Sequence, residues 1–289
     1  MPFPTRLDDT QAYRHWRARK LADYPGDPEA LRVRVAHLAE PSPAEVAAIC
    51  ERVAKCNMAL VDCGDPTQVS ADALLRLGAR LGLRRTDTHR CSDRDAVSRI
   101  RVTTAGRAGE LIPYTNRSLN WHTDGYYNPP ERPIRAWLLF CVQAAASGGE
   151  NTLLDHEIAY LRLRDHDPDL IRALEDPRVL EIPANIEGGV TLRPASVGPV
   201  FSCPGERLHM RYTARARHAI WARTRAAAAA REALTRLFSS EASFMFRHKL
   251  MPGEGYVTNN VLHNRNHFDA EASSSRELLR IRYLDRVAG

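Results

Sequence analysis

Residues Ala136–Gln143 read AWLLFCVQ, a nearly continuous apolar run. Prolines at 129, 130 and 133 precede it, and Ser147-Gly148-Gly149 follows it. Eight residues are far short of the roughly 20 needed to cross a bilayer. A short unbroken apolar run bounded by turn residues suits a strand buried on both faces. The chain therefore has to build a sheet at its centre and cover it. Further strands are predicted at 58–63, 96–103, 256–262 and 278–284. The first of these ends at Gly64-Asp65-Pro66.

Helices are predicted around this centre. Ser42 can cap a helix that has Pro43 at its first position and Glu45 three residues after the cap, the pattern of a capping box. That helix should run to about Lys55. A second is predicted over 70–83, with Leu74, Leu75, Leu77 and Leu81 as its apolar positions. Residues 156–176 should form one or two helices interrupted at Pro168, and 226–238 an alanine-rich one. Residues 84–95, 106–121 and 264–275 are polar or irregular and should be loops. Residues 1–40 make a polar, arginine-rich lead-in with weak periodicity. No repeat, low-complexity stretch or linker divides the chain. The expectation is a single domain over 1–289, mostly β at its centre with helices outside.

Composition narrows the function classes. With 289 residues and 44% hydrophobic content, a sizeable core can form. The opening MPFPTRLDDTQAYRHW has no apolar stretch long enough for a signal peptide, so a cytoplasmic location is expected, with no membrane partner. Cys50, Cys56, Cys63, Cys91, Cys141 and Cys203 form no C-x-x-C pair. That argues against a disulfide framework or a cysteine zinc site. The net charge is +6, and all but three of the 41 basic residues are arginine. They spread along the whole chain rather than forming a block. We therefore expect no nucleic-acid partner and a small anionic substrate instead. A homo-oligomer remains open.

His122 and Asp124 are two apart. On an extended strand such residues project to the same side, so an imidazole nitrogen and a carboxylate oxygen can reach one metal ion. A third ligand from a distant strand would complete a 2-His-1-carboxylate face with open positions. Chance pairs at this spacing also occur in turns. Trp121 and Gly125-Tyr126-Tyr127, however, set this pair in an aromatic, Gly/Pro-bounded loop. His263 stands at the end of a predicted strand. Arg276, Arg280 and Arg282 follow, on one side if 276–285 is extended. A row of inward arginines is costly unless it meets an anion. The alternative is an exposed basic edge strand.

Four segments together resemble a known family. These are 113–124 (PYTNRSLNWHTD), 147–152 (SGGENT), 260–265 (NVLHNR) and 276–280 (RELLR). In order and spacing they are similar to the taurine dioxygenase and clavaminate synthase superfamily of iron(II)/2-oxoglutarate oxygenases, over about 42–285. The resemblance implies a fold that is mainly β with α, a double-stranded β-helix (jelly-roll) core flanked by helices. It implies Fe(II), 2-oxoglutarate and O2 as cofactors. His122, Asp124 and His263 match the metal ligands. His267 lies near enough to be a second candidate, but the His-x-Arg pattern favours His263. Thr152 and Arg276 match the residues that hold the far carboxylate of 2-oxoglutarate, with Arg280 a second donor there or an anchor for an anionic substrate. Asp124 at the carboxylate position disfavours halogenation. The implied reaction is hydroxylation of an unactivated C–H bond in a small anionic or amino-acid-like molecule, releasing succinate and CO2. Desaturation, cyclisation, C–N or C–S cleavage, or non-catalytic sensing are the alternatives. Candidate substrate contacts are Tyr114, Asn116, Arg117, Tyr126, Tyr127, Arg211, Tyr212 and Arg215.

Overall fold

The computed structural model describes residues 3–88, 96–103, 111–240, 244–269 and 276–287. Parts of the three expected loops, and Cys91, lie outside the described residues. Among the described residues there are six α-helices: α1 (Thr10–Leu21), α2 (Pro43–Cys56), α3 (Ala71–Arg80), α4 (His156–His166), α5 (Pro168–Leu174) and α6 (Arg225–Ser239). The strands before α4 are β1 (Arg32–Arg34), β2 (Met58–Asp62), β3 (Ser98–Arg101), β4 (Leu119–His122), β5 (Ala136–Gln143) and β6 (Asn151–Leu154). Between α5 and α6 come seven short ones: β7 (Leu180–Ile182), β8 (Asn185–Glu187), β9 (Val190–Arg193), β10 (Ser196–Gly198), β11 (Phe201–Ser202), β12 (His209–Met210) and β13 (Ile220–Trp221). The last four are β14 (Met245–His248), β15 (Glu254–Thr258), β16 (Leu262–Arg265) and β17 (Glu277–Tyr283).

Two sheets carry the architecture. One has the order β1-β2-β15-β5-β17-β3, and the other β14-β6-β16-β4. The apolar run that anchored the sequence reading is β5, hydrogen-bonded to β15 on one side and β17 on the other. Alternation along these strands sorts side chains into layers. Met58, Leu60, Trp137, Leu139, Cys141, Tyr256 and Leu278 point inward, where they meet Leu153, Phe246 and Val261 from the smaller sheet's side. Ala59, Val61, Leu138, Phe140, Leu279 and Ile281 point outward, under α2 and α3. Leu154 and Leu262, on the outer face of the smaller sheet, pack into a third cluster with residues of α4, α5 and α6. Each fully buried aliphatic side chain contributes roughly 1.5–3 kcal/mol, so both sheets are fixed by cores on two faces.

The local signals explain the helix starts. Ser42 N donates to Glu45 Oε2 at 2.6 Å and Glu45 N to Ser42 Oγ at 3.3 Å, completing the capping box. The structure departs from the sequence reading at several places: the end of the expected 106–121 loop forms β4, and β7–β13 lie where no element was predicted. Residues 10–21 of the lead-in form a docked helix whose buried side chains are Tyr13, Trp16 and Lys20. Lys20 Nζ sits 2.6 Å from both Asp155 Oδ2 and Glu157 Oε2, which neutralise it. A helix that buries two aromatics and a lysine leaves no aliphatic periodicity to read. The predicted strand 256–262 is broken into β15 and β16, because Asn260 takes a left-handed φ of 56°. Asparagine tolerates that region better than most residues.

Candidate active site

β4 and β16 are antiparallel neighbours, and their register sets His263 directly opposite His122. The imidazole rings lie 4.2 Å apart between centroids. Asp124 follows β4 in a turn. Its Oδ1 stands 3.8 Å from His122 Nε2 and 4.0 Å from His263 Nε2. One ligand atom from each residue falls within 4.8 Å of the others, and all three side chains are buried. Among the described residues this is the grouping of His, Cys, Asp or Glu that fits a metal ion. His267 is excluded from it: its Nε2 lies 3.7 Å from Asp269 and the side chain is mostly exposed.

The site holds its ligands in binding form. His122 Nδ1 lies 2.8 Å from Asn120 O, and His263 Nδ1 3.0 Å from Val261 O. Carbonyls accept, so each Nδ1 donates and each Nε2 lone pair faces the centre. Burial pushes the His122 pKa down to about 3, with His263 as a like-charged neighbour, and it lowers His263 in the same way. Burial alone would raise the Asp124 carboxyl, but Arg280 and then His263 overcome it and hold the group well below the usual carboxylate range. Two neutral imidazoles and an ionised carboxylate are the states a divalent metal needs. Asp124 Oδ2 is buried without a hydrogen-bond partner, although Arg280 Nη1 stands 3.2 Å away off-axis. These observations fit an iron(II) centre.

The backbone around Asp124 is pinned from the other sheet's connection. Asp124 N donates to Asn260 Oδ1 at 2.8 Å, while Asn260 Nδ2 donates to Asp124 O at 3.0 Å and to Ile134 O at 2.6 Å. Gly125 has φ +66°, and a Cβ there would stand 2.2 Å from Ile134 Cγ1, so only glycine fits this turn. Trp137 covers His263 with its ring 4.7 Å away. In the sequence Asn260 stands only as the first residue of the 260–265 motif, with no role assigned to it.

Arg276 lies just before β17, 6% exposed and with its guanidinium 5.0 Å from the Phe268 ring. No carboxylate pairs with it among the described residues. Burial lowers its pKa to about 10. Gly149, at φ +79°, leaves room beside it, since a Cβ there would lie 3.4 Å from Arg276 Nε. Arg280 does something else: it grips Asp124 through Nη1 at 3.2 Å. The donor role foreseen for Arg280 is thus joined here by a contact with the candidate ligand Asp124.

Thr152 also needs correction. In β6, Leu153 pairs with His263 and belongs to the inner cluster, while Leu154 pairs with Leu262 in the outer one. Thr152, opposite Asn264 and Arg247, shares the outer side with Leu154. The inward place falls to Asn151, opposite Arg265, with Oδ1 buried and unpartnered.

The substrate candidates scatter. Tyr114 is packed into the inner core. Asn116 and Arg117 form a loop whose carbonyls accept from Phe268 N and from Arg265 Nη2, so they border the Arg276 end. Tyr126 is beside the metal ligands, its ring 6.4 Å from that of His122. Tyr127 accepts from Arg282 Nη1 at 2.6 Å. Tyr212 is buried against Phe238. Arg211 is spent on the carbonyls of Leu180 and Ser196, at 3.1 and 2.7 Å. It also lines a cavity of about 350 Å³ against residues 123–126. Asp124 lines that cavity, while His122 and His263 do not. Arg215 follows the segment that bridges His122 through Thr213.

The family model described as Taurine catabolism dioxygenase TauD, TfdA family matches residues 20–282. The chain belongs to this family. The family's description names a dioxygenase, and the solved structures similar to this fold include a complex with Fe and alpha-ketoglutaric acid. This TauD/TfdA-family chain is 28% identical over 170 residues to a uridine-5'-phosphate dioxygenase from Amycolatopsis, spanning 60% of that relative's length and 57% of its own. A second uridine-5'-phosphate dioxygenase, from Streptomyces, is 32% identical over 109 residues, 38% of each chain. Similar solved structures include non-heme iron oxygenase OrfP in complex with Fe and alpha-ketoglutaric acid (TM-score 0.64, 16% identity, 87% and 88% of the two chains). Asparagine oxygenase in complex with Fe(II), hydroxyasparagine and succinate follows at TM-score 0.61, 15% identity, 88% and 93%. A taurine dioxygenase from Burkholderia xenovorans gives 0.60, 18%, 86% and 84%. At these identities the structures establish a shared fold. No helix among the described residues is long and apolar enough to cross a membrane.

Proposed function

We propose that the protein hydroxylates an unactivated C–H bond of a small anionic or amino-acid-like molecule, within a jelly-roll chamber formed by the two main sheets. The observation that carries this reading is a buried three-donor centre, together with a buried arginine that has no counter-charge among the described residues. Iron with 2-oxoglutarate and oxygen would supply the oxidising power, leaving succinate and CO2. His122, Asp124 and His263 hold the metal on one side and leave the other side open. Arg276 would hold the far carboxylate of 2-oxoglutarate by charge-assisted hydrogen bonds, with Asn151 facing the same chamber. Its charge without a partner is a cost that an incoming dicarboxylate removes. Arg280 keeps Asp124 ionised and oriented. Trp137 shields His263 from water. The relatives named for uridine-5'-phosphate and the complexes with hydroxyasparagine bracket the substrate as a small polar molecule.

The test is anaerobic titration with iron(II) and then 2-oxoglutarate, following the weak visible metal-to-ligand band. The band should appear in the wild type, vanish in His263→Ala and need far more 2-oxoglutarate in Arg276→Ala. A metal-loaded wild type without the band would sink the oxygenase reading in favour of a binding or sensing protein.

A further inference from the structure

The segment after β12 runs beside the metal-bearing strand. His122 forms an isolated bridge with Thr213, and Ala214 N donates to Trp121 O at 2.8 Å. Arg215 and the short turn Ala216–His218 come next. His218 Nδ1 meets the Tyr126 hydroxyl at 3.0 Å. Two ring-to-ring steps of 6.4 Å, His122 to Tyr126 and Tyr126 to His218, connect this turn to the metal site. Arg193, at the end of β9, leans over Tyr127 with its guanidinium 5.8 Å from the ring.

This corner is cationic without compensation. Besides its own burial, the groups that disfavour a proton on His218 are Arg215, Arg217 and Arg193. No carboxylate among the described residues pairs with any of the four. Arg193 donates to the carbonyls of Pro183, Pro194 and Tyr127, which satisfy N–H groups but not charge. Arg211, buried nearby, adds a further cation that likewise meets carbonyls alone. Lys20 and Arg282, by contrast, have their counter-charges built in: two carboxylates for the first and Asp87 for the second. Arg280, for its part, contacts Asp124.

We propose that Arg193, Arg215 and His218, with the Tyr126 hydroxyl, form a receptor for a phosphate monoester group on the substrate. The proposal rests on the oxygenase reading above and names its substrate class. A phosphate monoester brings nearly two negative charges and three strong acceptor oxygens, and arginine meets it with a two-pronged donor set. A carboxylate, with one charge and two oxygens, would leave most of this cluster uncompensated. The separation from His122 puts the phosphate at one end of the molecule and the reacting C–H bond at the other.

Three probes sharing one ring test this: phenyl phosphate, benzoate and phenol. Each is titrated calorimetrically into the anaerobic protein loaded with iron(II) and 2-oxoglutarate. Phenyl phosphate should bind at least about tenfold tighter than benzoate, and phenol weakest of the three. Arg215→Ala should weaken phenyl phosphate by about tenfold, on the scale of one charge-assisted hydrogen bond, while Arg215→Lys restores part of it. The visible metal–2-oxoglutarate band should persist in both variants. If Arg215→Ala fails to fold, Arg193→Gln and His218→Gln carry the same comparison. Benzoate binding as tightly as phenyl phosphate, or cluster variants that bind phenyl phosphate like the wild type, would overturn the proposal. A missing band in the wild type would instead count against the oxygenase reading itself.

Discussion

Two ends of one chain segment treat arginine in opposite ways. Along β17, Arg282 meets Asp87 Oδ2 at 2.5 Å and the Tyr127 hydroxyl at 2.6 Å, and Arg280 meets Asp124. Just before the strand, Arg276 has an aromatic face and, among the described residues, no carboxylate. Burial acts to lower all such cations. For Arg282 the surrounding Tyr127, Asp124 and Asp87 more than reverse it, while for Arg276 burial wins. A buried cation with its counter-charge built in is part of the scaffold. One without it is half of a complex whose other half arrives from solution.

The largest effect should come from Asp124→Ala, which removes a metal ligand and strands Arg280 together. Iron(II) binding by anaerobic equilibrium dialysis should be lost, and retention of wild-type affinity would refute the ligand assignment. Next, Arg282→Leu leaves the buried Asp87 with only the longer contact to Arg132, at 3.5 Å, a loss of up to about 3–5 kcal/mol in urea unfolding. Arg276→Leu should show the reverse pattern. Its unfolding free energy should hold or rise, because an uncompensated cation is gone, while half-saturation by 2-oxoglutarate shifts upward by about 100-fold, near 2.7 kcal/mol. Were the two variants to behave alike, the distinction between scaffold and receptor arginines would collapse. Asn151→Ala should raise the 2-oxoglutarate requirement by about tenfold, the scale of one charge-assisted hydrogen bond. Thr152→Val should leave it nearly unchanged, and the opposite ranking would restore Thr152 to the chamber.

The smallest effect is a pH slope. His209 and His218 are held neutral, chiefly by burial, with pKa values of about 3 and about 4. The unfolded chain takes up those protons below about 6.5. Stability should therefore fall as pH drops through 6.5, until the folded values are reached. Glu157 and Glu254, lowered to about 2, add a second loss that begins near pH 4.5. Thermal melts from pH 8 to 4 should show His209→Gln flattening the first stage only.

Much of this was legible in the sequence where one strong local rule applied. The unbroken run of β5, the capping box at Ser42 and the two-residue step from His122 to Asp124 each constrain geometry by themselves. The pairing of His263 with His122 came from motif order, and strand register realises it. What stayed hidden depends on long-range placement. Nothing local says that Thr152 turns outward, because a single added residue reverses a strand's two faces. The helix over Thr10–Leu21 hides behind a buried lysine whose partners lie more than 130 positions away. The strands between α5 and α6 are two to four residues long, too short for alternation to register.

Asn260 gives the metal site a mechanical character. It stands three positions before His263, yet its side chain clasps the backbone of Asp124 from both sides and reaches Ile134 as well. Ligands from opposite ends of the chain are thereby joined into one stiff bracket before any ion arrives. Such a bracket spares the ion the work of gathering its ligands. Loading and removal of metal should then proceed as a simple exchange into a finished socket, and the emptied protein should keep the same jaw spacing it has when filled.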